Sequence, residues 1–134
     1  MIRALFIALV LFCTAAAQAV QPNFDREAEA LAQKETGLRW DGRPGRFGEL
    51  SRWQITPAVW AQHSSEPFET AARVEAKAHA VALKHLAWLT AQLVKAGIEP
   101  TAERLATCWH YGLSRKRRGT VWGQEVANLY EVLP

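Results

Sequence analysis

The sequence predicts a single, mainly α domain with a small β-hairpin or irregular segment, set behind a cleavable leader. Three observations carry that reading. Helix caps followed by apolar residues at three- and four-residue steps recur along the chain, a Gly- and Pro-dense stretch occupies residues 38–57, and an apolar run without charge opens the chain. Composition agrees: 134 residues, 49% apolar and 22% charged, is a globular balance, neither disordered nor low-complexity.

The N-terminus is read first because it is set apart from the fold. Met1-Ile2-Arg3 carries one positive charge, Ala4 to Ala17 is uncharged, and Ala17-Gln18-Ala19 places small residues where a signal peptidase cuts. Residues 1–19 therefore read as a signal peptide, too short for a comfortable membrane span, and 20–134 as one domain with one core. Bulky Leu11 and Phe12 before Cys13 speak against a lipid-modified cysteine. With Cys13 in the leader, Cys108 stands alone, which excludes an internal disulfide and a Cys-based zinc site. The expected product is exported, to periplasm or extracellular space, with no transmembrane anchor once the leader is removed.

Within the body, Asn23 is a good N-cap for a helix from Phe24 that Gly37 stops. Asp41-Gly42, Pro44-Gly45 and Gly48 then punctuate the chain too densely for a helix, and FGELSRWQI offers a short strand or hairpin arm. Beyond Pro67 a long helix is expected from about Thr70 to Ala96, with Ala78, Ala82, Leu86, Leu89 and Leu93 on one face. Thr101 caps a helix carrying Leu105, Cys108 and Trp109. A basic loop, Leu113 to Gly119, leads to Thr120, the cap of a last helix with Trp122, Val126, Leu129 and Leu133 aligned.

The first helix holds the most informative position. Phe24, Ala28 and Leu31 form its inward stripe, and Glu35 is the next residue on it. A carboxylate on a buried face, at the end of a helix whose dipole is negative, has its charged form disfavoured twice over. An acid that keeps its proton near neutrality is what a glycosidic leaving group needs. The bland reading is a frayed end with Glu35 paired to Lys34 or Arg39.

The stretch ETGLRWDGRPGRFGELSRWQITPAVW resembles the active-site region of the lysozyme-like lytic transglycosylases through Glu35-Thr36, Gly48, Gln54-Ile55 and Pro57. The order continues downstream. AVALKHLAWLTAQL is similar to the long helix of that family, TCWHYG to its Ala-Tyr-Asn-Ala-Gly segment, and VWGQEVANLY to its closing helix. The resemblance implies a lysozyme-like α+β domain over 20–134 that cleaves the MurNAc–GlcNAc bond of peptidoglycan without water. Glu35 would act as acid and then base, the substrate's acetamido group would stabilise the developing charge, and 1,6-anhydroMurNAc ends would result. It also implies that Gln54 and Ser51 bind substrate, with His110 and Trp122 as further substrate-binding candidates, and that no cofactor is needed. The chain departs from the family pattern in three places: His110 stands where an Asn is expected, Trp122 where a Tyr is expected, and Trp53 where a smaller apolar residue precedes Gln-Ile.

A second carboxylate would imply hydrolysis, a muramidase, and Asp41 and Glu49 are the candidates. Asp41 is equally a turn former with Gly42, and Glu49 equally a partner for Arg46 or Arg52. A third reading is a non-catalytic wall-binding protein. Of six tryptophans, Trp40 and Trp53 flank the expected cleft and suit sugar stacking, whereas Trp60, Trp88, Trp109 and Trp122 read as core. His63, His79, His85 and His110 show no metal-ligand spacing, and His85 reads as a satisfied boundary residue. Arg115, Lys116, Arg117 and Arg118 read as a solvated loop or as a contact for anionic wall polymers; nucleic acid is not an expected partner.

Overall fold

Asn23 sets the start of the first helix as its side chain dictates. In the computed structural model, which describes residues 23–134, its Oδ1 accepts from the Arg26 amide at 3.1 Å and α1 runs Phe24–Thr36. Gly37, at φ 72°, closes the helix with its amide on the Gln33 carbonyl. The leader assigned to residues 1–19 lies outside the described residues. The remaining elements are α2 (Pro57–His63), α3 (Phe68–Ala71), α4 (Glu75–Lys95), α5 (Ala102–Tyr111), a 3₁₀ turn at Leu113–Arg115, and α6 (Val121–Val132). The protein is mainly α.

Thr101 and Thr120 cap α5 and α6 through their hydroxyls, as their sequence positions require. Two expectations change. The long helix is broken: α3 and α4 are separated at residues 72–74, where Val74 is extended and Arg73 donates to the carbonyls of Glu69 and Gly42. Arg73 thus ties the break to the loop after α1, an interaction no local pattern encodes. The expected hairpin shrinks to one antiparallel bridge, Leu50 with Ile55, and the described residues contain no strand. A separate α2 was not expected from periodicity, although Thr56 as N-cap followed by Pro57 is a sound start signal.

The core gathers the inner faces of α1, α4, α5 and α6. Ala28, Leu31, Ala82, Leu86, Leu105 and Val126 are fully buried, and Leu50 and Ile55 are nearly so. The bridge is therefore anchored by its two apolar ends, and the four residues between them are projected as a tight turn. Helix α1 packs on α4 and α6, and α5 packs on α6. That last crossing depends on Gly123. A Cβ there would lie 2.7 Å from the Glu103 carbonyl oxygen and collide with Thr107 Oγ1, which pairs with Thr120 Oγ1 at 2.9 Å. Gly123→Ala is expected to destabilise the domain by about 2 kcal/mol, seen as a lower denaturant midpoint with an unchanged slope. An unaltered midpoint would mean that the α5–α6 contact yields easily.

No helix among the described residues is long and apolar enough to cross a membrane.

Candidate active site

Helix α1 ends against the Leu50–Ile55 turn, and this junction builds the site. Thr36 Oγ1 reaches the Arg52 carbonyl at 3.1 Å and the Ala32 carbonyl at 3.2 Å, so the hydroxyl after Glu35 stitches the helix end to the turn. Within the turn, Ser51 (φ 75°) and Gln54 (φ 48°) both adopt left-handed backbone conformations. Each costs on the order of 1–3 kcal/mol for a non-glycine residue, and such strain concentrates at functional sites. What holds the turn in place is Trp53. Its indole N–H donates to the Ala28 carbonyl at 2.8 Å, and its ring stacks on His79 with centroids 5.3 Å apart.

Glu35 stands at this junction with its side chain 15% exposed. Burial raises its pKa above the ordinary glutamate value; the His110 charge and contact pull it back, Glu49 pushes it up, and Lys34 lowers it slightly. Lys34 is itself engaged with Glu125 at 2.5 Å, and Glu35 makes no ion pair with Lys34 or Arg39. His110 Nδ1 lies 3.5 Å from Glu35 Oε1. The imidazole is oriented by stacking on Trp122, with centroids 4.3 Å apart and planes 16° from parallel, and by the edge of Tyr111.

On the other side, Glu49 and Gln54 lie together over Gly45, where a Cβ would come within 2.5 Å of Gln54 Oε1 and run into the Glu49 carboxylate. Glu49 Oε2 accepts from the Phe47 amide at 2.7 Å, and Gln54 Nε2 donates to the Ser51 carbonyl at 2.9 Å. The pairing of Glu49 with Arg46 or Arg52 is absent among the described residues: Arg52 is held by Glu29 and Glu75 instead. The fold thus brings together Glu35, Glu49, Gln54, His110 and Trp122. Beside them opens a cavity of about 450 Å³ lined by Thr36, Trp40, Asp41 and Gln54.

Three expected site residues are engaged in local structure. Trp53 is 3% exposed and belongs to the core as the pin of the turn, and what remains of its surface lines a cavity with Arg39 and Trp40. Ser51 is equally buried and its Oγ accepts from the Trp53 amide, so the hydroxyl serves the turn. Asp41 is exposed and accepts from the Arg43 amide at 2.9 Å, the local turn chemistry that Asp-Gly favours. Trp40 remains on the cleft wall, half-buried, with its indole N–H on the Arg43 carbonyl. Among the basic run, Arg115, Arg117 and Arg118 are exposed, whereas Lys116 is half-buried and its carbonyl accepts from Arg104.

Two features escaped sequence reasoning. Glu27, two turns before Glu35 on α1, is fully buried with neither carboxylate oxygen hydrogen-bonded among the described residues, and burial raises its pKa to about 8. Its place in the first turn of a helix imitates an ordinary surface acid; the spacing Glu27, Leu31, Glu35 was the available signal. The second is the pair His63 and His85, whose Nε2 and Nδ1 are 3.0 Å apart. His85 is buried against Trp88 and Trp109, and desolvation lowers its pKa to about 4. Among the described residues no group of three His, Cys, Asp or Glu side chains is placed to hold a metal ion.

Comparison of the chain with protein-family models, curated proteins and solved structures finds no match.

Proposed function

We propose that this protein is a peptidoglycan lytic transglycosylase of lysozyme-like type, cleaving the MurNAc–GlcNAc bond with Glu35 as acid and then base. The observation that carries the reading is Glu35 itself: a carboxyl largely withdrawn from water, its pKa raised by burial, beside a strained turn bearing Gln54 and an open cavity. Protonated, Glu35 donates to the glycosidic oxygen; ionised after that transfer, it accepts the proton of the muramyl 6-hydroxyl as the anhydro ring closes. Gln54 Oε1 is the free acceptor for a substrate amide or hydroxyl, because its Nε2 is committed to Ser51. The exposed arginines at 115, 117 and 118 supply a general attraction for anionic wall polymers. The uncharged apolar run of residues 4–17 before Ala17-Gln18-Ala19 supports an exported enzyme.

Glu49 supports a second reading. It is the other carboxylate that Glu35 senses, so a muramidase activating water remains the hydrolytic alternative. Mass spectrometry of fragments released from purified sacculi separates the three cases. Anhydro-muramyl ends support the transglycosylase, reducing ends the hydrolase, and no release by the folded protein a wall-binding role.

His110 tunes the acid. Because it lowers the Glu35 pKa, His110→Asn should move the alkaline limb of the activity profile to higher pH, where activity falls as Glu35 loses its proton. A pH profile of glycan turnover checks this; an unmoved or lowered limb would remove His110 from that role.

A further inference from the structure

Next to the cavity that holds Gln54 lies a second one of about 300 Å³, and its walls carry positive charge that glycan cleavage does not use. Arg39, Arg52 and Arg73 line it with Trp40, and Glu75 is the one carboxylate on the wall. The three guanidinium groups are not equivalent. Arg52 is neutralised in place by Glu29 at 2.9 Å and Glu75 at 3.5 Å. Arg73 donates to two neutral carbonyls, those of Glu69 and Gly42, and sits 5.6 Å over the Trp40 ring, so its charge has no counter-ion among the described residues. Arg39 is exposed and makes no ion pair or side-chain hydrogen bond among the described residues. Arg39 and Trp40 also line the cavity of Thr36 and Gln54, so the two spaces are neighbours with these residues in common.

We infer that this second cavity receives a carboxylate of the peptide stem that branches from the glycan strand, gripped by Arg39 and Arg73 beside the Trp40 indole. The inference rests on the glycan-cleaving reading for its ligand. A strand lying past Gln54 presents its lactyl branch across Trp40, and planar guanidinium forks match a carboxylate in two hydrogen bonds. The indole gives the stem's methyl groups an apolar wall. Glu75 is taken up by Arg52 at 3.5 Å, which leaves the grip to Arg39 and Arg73.

Calorimetry on the whole protein tests this with the disaccharide GlcNAc–MurNAc bearing a peptide stem, which contains no MurNAc–GlcNAc linkage to cleave. The stem with free carboxylates should bind about tenfold more tightly than the same stem amidated, and Arg39→Gln should erase most of that difference. Arg39 is exposed and unpaired among the described residues, so the change spares the fold. Equal affinity for the two stems, no effect of Arg39→Gln, or tighter binding of a glycerol-phosphate oligomer would each overturn the inference. Glycan cleavage without stem discrimination would sink it and leave the transglycosylase standing. Stem binding without release from sacculi would do the reverse.

Discussion

Glu35→Gln is expected to lower fragment release from sacculi by about a thousandfold, within the range that a positioned general acid supplies, while the domain stays as stable as the wild type or becomes more so near neutral pH. The two halves come from one cause. Burial makes the ionised carboxylate unfavourable, so the folded pKa lies above the unfolded one. Such a group stabilises the fold fully only below its unfolded pKa, and that contribution is lost as pH rises through the folded value. Glutamine keeps the shape and the contact with His110 but carries no charge, so the relief grows with pH. Retained activity would show that Glu35 is not the acid. Loss of the fold would make Glu35 a structural partner of His110. Circular dichroism and denaturant titration beside the turnover assay separate these results.

The second large effect concerns Glu27. Its pKa rises from 4.5 to about 8 on folding, which corresponds to about 5 kcal/mol of stability present below pH 4.5 and lost by pH 8. His85 works in the opposite sense. Its pKa falls from 6.5 to about 4, so the folded state gains about 3 kcal/mol relative to the unfolded as pH rises from 4 to 6.5. Between pH 4.5 and 6.5 the two cancel, one proton held by folded Glu27 against one held by unfolded His85. These two groups alone therefore give a plateau there and a fall of about 2 kcal/mol from pH 6.5 to 8. In Glu27→Gln the plateau should become a rise and the fall from pH 6.5 to 8 should shrink. Denaturant unfolding across pH 4–9 measures both curves. Identical curves for the two proteins would mean that Glu27 is hydrated in solution.

Local chemistry made the helices legible. Asn23, Thr101 and Thr120 cap where their side chains reach the free amides, and Gly37 closes α1 at a positive φ. The stripe of Phe24, Ala28 and Leu31 also led to Glu35, since helical spacing fixes which side chains share a face. What stayed hidden depends on partners distant in sequence. Trp53 reads as a cleft aromatic from its neighbours, and only the Ala28 carbonyl, 25 residues away, draws it into the core. The break before α4 needs Arg73 on Gly42, 31 residues away. Glu27 is fully buried, which its acidic first-turn context conceals. Glu49 and Gln54 meet over Gly45 because the bridge folds the segment back on itself.

The claim on which the mechanism depends is that Glu35 keeps its proton above the range of an ordinary glutamate. Carbon-13 NMR of the side-chain carboxyls, with the Glu35 signal identified by its loss in Glu35→Gln, measures this in the free protein. The account predicts a midpoint above 4.5 that climbs further in His110→Asn. A midpoint at or below 4.5, unmoved by that substitution, would contradict it.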